Sequence, residues 1–146
     1  KDTGKTVAFF YITSKGSVNV RKPGDYVAKM IQMAGGTYVP QNAEEEENAL
    51  STMNMEMEAF YDQAKDADYI IYNSTIDGEL SVLKELLAKS PLLADFKAVK
   101  EGHVWCTGKN LFQETMGLGN MIQDIHKMLT EEEPDPGQMH YIHQLR

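Results

Sequence analysis

The sequence is short of most features that announce a chemistry. Of 146 residues one is cysteine, Cys106, so no internal disulfide can form. Cys106 lies beside Trp105 in an apolar run and reads as a buried, inert thiol, not a nucleophile. No run approaches the roughly 20 apolar residues that span a bilayer. Positive charge is scarce: 14 Lys and Arg against 22 Asp and Glu give a net charge of −8. That balance argues against nucleic acid, whose phosphates need a cationic surface. A glycine-rich phosphate loop is also missing. Gly4-Lys5-Thr6 resembles the end of one, but the earlier glycine is absent and a strand follows where a helix should. No Ser/His/Asp or Cys/His set is suggested, so the chain is not read as an enzyme.

The four histidines are poor metal candidates. His103 opens a strand and His126 lies in a helix, while His140 and His143 face opposite sides of a strand, or one face of a helix. Asn73-Ser74-Thr75 fits the N-glycosylation triplet, a pattern short enough to match often by chance. The start Lys1-Asp2-Thr3-Gly4-Lys5 shows no signal peptide. It fits a cytoplasmic chain, a processed secreted chain and a domain cut from a longer protein alike.

What is present is a hydrophobic share of 42% with clear periodicity, enough for one globular domain with its own core. Val7–Ile12 is a dense apolar run that suits a central parallel strand covered on both faces. A polar stretch, Thr13–Lys22, follows. Pro23-Gly24-Asp25 opens a helix with Val27, Met30, Ile31 and Ala34 on one side, ended by Gly35-Gly36. Thr37–Val39 is a short strand stopped by Pro40, and the run Glu44-Glu45-Glu46-Glu47 reads as a solvated loop. Met53, Met57, Phe60, Tyr61 and Ala64 recur at helical spacing and predict a helix over Asn54–Lys65, the methionines serving as core.

Tyr69–Tyr72 is a buried strand followed by a polar loop. Leu80, Leu83, Leu86 and Leu87 define a helix over Glu79–Ser90, halted by Pro91. Leu92–Gly102 connects to a strand, His103–Thr107, and Leu118, Met121, Ile122, Ile125 and Leu129 mark a last helix. Residues 131–146 form a polar tail containing two prolines, with a short end that is either loose or extended.

Strands alternate with helices four times without a hairpin signal. The expected fold is a three-layer α/β sandwich, a mostly parallel sheet of about four strands flanked by helices. Such a sheet gathers the loops after its strands on one edge, where ligands bind. The candidates there are Ser14, Lys15, Asn19, Arg21, Asn73, Ser74, Thr75, Lys109, Asn110 and Phe112, with Gln113 beside them. Hydrogen-bonding groups, a few cations and an aromatic ring suit a polar, anionic ligand.

The order of several pieces resembles a known family. They are Val7–Ile12 with Ser14-Lys15-Gly16, Asp25-Tyr26-Val27-Ala28-Lys29-Met30 leading to Ala34-Gly35-Gly36, and Glu58-Ala59-Phe60-Tyr61 before Ala67-Asp68-Tyr69-Ile70-Ile71. The last is Phe96-Lys97-Ala98-Val99-Lys100-Glu101-Gly102-His103-Val104-Trp105. In this order they are similar to the C-terminal lobe of substrate-binding proteins of bacterial ABC importers, in the group taking iron–siderophore, haem or cobalamin. The resemblance implies one lobe of a two-lobe protein about twice this length, with ligand held between lobes and delivered to a membrane permease. It implies an extracytoplasmic setting, periplasmic or as a lipoprotein whose lipid-bearing cysteine is not Cys106. It implies a transported ligand, not a tight cofactor: a ferric siderophore first, then haem or cobalamin. In such a site Arg21, Lys15 and Lys109 would pair with ligand oxygens and Phe112 would stack, while Trp105 is read as core. The family's permease-docking glutamate falls best on Glu58, with Glu56 second. Two other readings remain: a flavodoxin-like cofactor-binding or enzyme domain, and direct zinc or manganese binding.

Overall fold

The strand β1, Lys5–Ile12, organises the sheet. Its burial alternates between two faces. Ala8, Phe10 and Ile12 enter one core cluster, while Val7 and Phe9 enter another. A computed structural model describes residues 3–21, 26–39, 52–74, 80–107, 118–130 and 142–145. Its elements in order are β1, β2 (Val18–Arg21), α1 (Tyr26–Met33), β3 (Gly36–Val39), β4 (Thr52–Met55), α2 (Met57–Ala64), β5 (Tyr69–Tyr72) and α3 (Leu83–Lys89). A 3-10 turn, Pro91–Asp95, then leads to α4 (Lys97–Glu101), β6 (Val104–Thr107), α5 (Leu118–Thr130) and β7 (Ile142–Gln144).

The four strands expected from sequence are β1, β3, β5 and β6, and they are mutually parallel. Val7 stands beside Tyr38 of β3 and Tyr69 of β5, and Ile71 of β5 beside Trp105 of β6. Three antiparallel strands extend them. β2 pairs with the end of β1, Ile12 opposite Val18, taking over the side that β3 occupies at Lys5–Ala8. β4 adds to β2, and β7 to β6. Among the described residues the sheet is therefore mixed and has seven strands, more than the four or so expected.

Two sequence expectations need correction. The stretch after β1 is a hairpin. Ser17 N–H and Lys15 N–H donate to Thr13 Oγ1 at 3.1 and 3.3 Å, Thr13 N–H donates to Ser17 O at 2.8 Å, and Gly16 supplies a left-handed φ of 84°. This turn has no two-residue Asn-Gly signature, but Val18-Asn19-Val20 alternates as a one-sided strand does. The helix expected from Asn54 begins at Met57, because Thr52–Met55 pairs with β2. The 131–146 tail contains β7, whose Ile142 and following Leu145 are buried; residues 131–141 and 146 lie outside the described set.

Helices cover both faces. Met57, Phe60 and Ala64 of α2, Leu86 of α3, Leu93, Phe96 and Ala98 pack on one face, around Phe10. Phe10 and Phe60 rings sit 4.7 Å apart, and Phe60 and Phe96 5.6 Å apart. Val27, Ala28, Met30 and Ile31 of α1 with Ile125, Met128 and Leu129 of α5 cover the other face. Each large side chain fully buried here contributes about 1.5–3 kcal/mol. The starting edge of the parallel strands is fixed by Asp68. Its carboxylate accepts from Thr6 N–H at 2.9 Å and from Lys97 Nζ at 2.7 Å, and its own N–H donates to Thr6 Oγ1 at 3.0 Å. Among the described residues no helix is long and apolar enough to cross a membrane.

Candidate functional site

The parallel strands end along one edge, and polar residues line up there. Tyr11 stands opposite Asn19, and Asn19 opposite Asn54. On the other side of β1, Asn73 N–H donates to Phe10 O at 2.6 Å, continuing the ladder one residue past the Phe10–Tyr72 pair and so beside Tyr11. Tyr72 pairs with Cys106, which brings Asn73 beside Thr107. Asn54, Asn19, Tyr11, Asn73 and Thr107 thus form one row across five strands, spanning about 19 Å at the usual strand spacing. By register these positions share a face of the sheet, although the half-buried Tyr11 side chain packs against the cluster around Phe10 on the other side.

The row has a closed end and an open one. Asn73 is 5% and Thr107 0% exposed. Ser74, beside them, is bound to β6 twice: its N–H donates to Thr107 Oγ1 at 2.9 Å and its hydroxyl donates to Thr107 O. Ser74 thereby clamps β5 to β6. At the other end Asn54 is exposed and Asn19 and Tyr11 half-buried. The Asn19 amide donates to Asn54 Oδ1 at 2.8 Å, so each side chain orients the other.

Of the residues expected to meet a ligand, Ser14 and Lys15 are exposed in the β1–β2 turn, and Asn19, Asn73 and Ser74 lie on or beside the row. Arg21 ends β2, its backbone opposite Thr52. Thr75, Lys109, Asn110, Phe112 and Gln113 lie outside the described residues. Glu56 and Glu58 open α2. Since Met55 pairs with Val18 and Val18 with Ile12, β4 ends level with β1, and both exposed glutamates stand at the same edge as the row. Tyr11, Asn54 and Thr107 were not legible as site residues, because Asn54 belongs to the row only once β2 and β4 are recognised as strands.

The described histidines are spent elsewhere. His103 Nδ1 pairs with Asp68 O at 3.0 Å and its ring stacks on Tyr69 at 4.4 Å, His126 Nδ1 pairs with Ala34 O at 2.9 Å, and His143 Nε2 with Leu80 O at 2.6 Å. Among the described residues no group of three His, Cys, Asp or Glu could hold a metal ion; His140 is not among them. Trp105 is 3% and Cys106 0% exposed, both in the core. A polar hollow of about 440 Å³ lined by Tyr61, Lys65, Asp66, Asp95, Lys97, Lys100 and Glu101 opens toward the starting edge, away from the row. Its lysines and acids balance.

No protein-family profile matches the chain, and no curated protein sequence is similar enough to match. Solved structures do match. The TroA-like periplasmic binding protein FepB from Veillonella parvula superposes with a TM-score of 0.68 at 14% identity, over 97% of this chain and 49% of that one. The fold matches about half of that protein. The periplasmic haem-binding protein HutB of Vibrio cholerae gives a TM-score of 0.68 at 17% identity over 89% of this chain and 48% of its own. FhuD2 from Staphylococcus aureus, solved with bound ferrioxamine B, gives 0.57 at 20% identity over 86% and 47%. The chain spans about half the length of each.

Proposed function

We propose that the chain is the C-terminal lobe of a solute-binding protein of an ABC importer, and that it works by binding, not by catalysis. The observation that carries this reading is the match of nearly the whole chain to half of proteins of that kind, joined to a polar row on the strand-end edge, where ligands of α/β sheets are bound. The ligand is a metal chelate: a ferric siderophore first, haem or cobalamin behind it. Ser14, Lys15, Asn19, Arg21, Asn73, Thr75, Lys109, Asn110 and Phe112 form the ligand-facing set. Ser74 joins it through the clamp on Thr107, which holds Asn73 in place. The missing lobe supplies the other wall of the cleft.

Glu58, with Glu56 beside it, is the docking point for a permease, an exposed pair of carboxylates at the ligand edge that suits arginines of a partner. The protein works outside the cytoplasm, in the periplasm or anchored as a lipoprotein. The two-lobe protein purified from its native host tests the reading by mass spectrometry and absorption spectroscopy. A co-purifying metal chelate supports it; a nucleotide or flavin in its place overturns it in favour of a flavodoxin-like domain.

A further inference from the structure

The hollow at the starting edge of the sheet has a chemistry of its own. Its volume of about 440 Å³ falls within the roughly 300–1,000 Å³ of small-molecule sites. It lies between the end of α2, the 3-10 turn and α4, and its walls are fixed to one another. The Lys97 N–H donates to Lys65 O at 2.8 Å, and the Tyr61 ring stands edge-on to the buried Phe96 ring at 5.5 Å. Lys97 is spent: its ammonium holds Asp68 at 2.7 Å, and Asp68 holds Thr6 at the base of β1. Thr6 and Tyr11 are five positions apart on β1, so the hollow lies about 17 Å from the polar row along the strands.

The other charges around the hollow are not spent on one another. Lys65 and Asp66 follow α2, Asp95 ends the 3-10 turn and Lys100 lies in the last turn of α4. Among the described residues none of these four forms an ion pair. The Lys65 ammonium rests over the Tyr61 ring, 5.5 Å from its centroid, and Glu101 at the rim stands 3.6 Å from His103. Two ammoniums and two carboxylates thus line one space without neutralising each other. A simple anion drawn to the ammoniums meets the carboxylates as repulsion, and a simple cation meets the ammoniums. A molecule carrying both charges satisfies both signs at once through charge-assisted bonds, with the Tyr61 ring as an apolar wall.

We infer that this hollow is a second ligand site, for a zwitterion the size of an amino acid or dipeptide, its ammonium at Asp66 and Asp95 and its carboxylate at Lys65 and Lys100. The site stands apart from the strand-end edge, and its occupancy is independent of chelate capture.

Calorimetric titration of the full-length protein with L-alanyl-L-alanine tests this. Two blocked forms run beside it: the N-acetylated peptide, which keeps only the carboxylate, and the C-terminal amide, which keeps only the ammonium. The free dipeptide is expected to bind about tenfold tighter than either, the effect of one charge-assisted bond. The gap should narrow with salt, which screens exposed groups. Lys100→Gln should reduce the advantage over the amide about threefold, and Asp95→Asn the advantage over the acetylated form by as much. Both positions are exposed, so neither change disturbs the core. Equal affinity for the three peptides, no saturable binding of the free dipeptide at millimolar concentration, or an affinity unchanged in both variants overturns the inference. None of these outcomes bears on the chelate reading, whose ligand binds at the other edge.

Discussion

Ser74 and Thr107 fasten the ends of two adjacent parallel strands to each other. The Ser74 N–H donates to Thr107 Oγ1, its hydroxyl donates to Thr107 O, and both residues are at most 1% exposed. A buried carbonyl deprived of its donor keeps its desolvation cost. Ser74→Ala should thus lower stability by about 1–2 kcal/mol. Urea unfolding of the two proteins checks this, and an unchanged midpoint would show the clamp to be idle.

The opposite edge carries a pH dependence. Burial raises the Asp68 pKa, but the Lys97 hydrogen bond, the Thr6 N–H and hydroxyl and the Lys97 charge together outweigh it, so the carboxyl titrates below its ordinary value. A depressed carboxyl contributes stability that is full above its unfolded value, about 3.9, and is lost as pH falls through the lower folded value. Lys97 shifts upward through its bond and charge pairing with Asp68; its contribution is lost only as strongly alkaline pH passes the raised value. Asp68→Asn should cost about 1–3 kcal/mol at neutral pH and flatten the acid limb of a plot of urea midpoint against pH. An acid limb as steep as that of the parent would contradict this.

Gly36 begins β3 where three side chains converge. A Cβ there would lie 3.2 Å from Ile31 Cγ2, Leu129 Cδ1 and Val7 Cγ2. Three neighbouring methyl groups would each have to give by a few tenths of an ångström. Gly36→Ala should destabilise by about 1–3 kcal/mol, read as a lowered thermal midpoint. An equal or raised midpoint would mean that α1 and α5 shift at little cost.

Charge reversal at the edge separates docking from capture. In the full protein, Glu58→Lys should reduce chelate uptake by cells about tenfold, the effect of opposing like charges at a docking contact, and Glu56→Lys less. Uptake equal to the parent would remove Glu58 from the docking surface.

Arg21, the last residue of β2, is the cation proposed to meet the ligand. Arg21→Ala should weaken chelate binding by roughly tenfold, since a hydrogen bond from a charged donor is worth about 1.5–3 kcal/mol. Titration followed by tryptophan quenching checks this, and unchanged affinity would remove Arg21 from the site.

The parallel part of this fold was legible because its strands are buried on both faces and so appear as apolar runs: Val7–Ile12, Tyr69–Tyr72 and Val104–Thr107. The antiparallel additions were not. β2 carries only Val18 and Val20 as apolar markers, and the β1–β2 turn relies on hydrogen bonds to the Thr13 hydroxyl, which no dipeptide signature announces. Met53 and Met55 of β4 sit two apart, as in a strand, but Met53 also stands four residues before Met57 and completes a helical stripe. The candidate site suffered accordingly. Asn19 and Asn73 were found as loop residues, while Asn54 and Tyr11 gain their meaning from register across β4, β2 and β1, which no local pattern encodes.

The central claim, capture of a metal chelate, is tested most directly by calorimetric titration of the two-lobe protein with ferric siderophores, haem and cobalamin in turn. The account predicts saturable binding of one chelate per protein for at least one of them, with no chemical change in the ligand recovered afterwards. Absence of binding across the set, or conversion of the ligand, would contradict it.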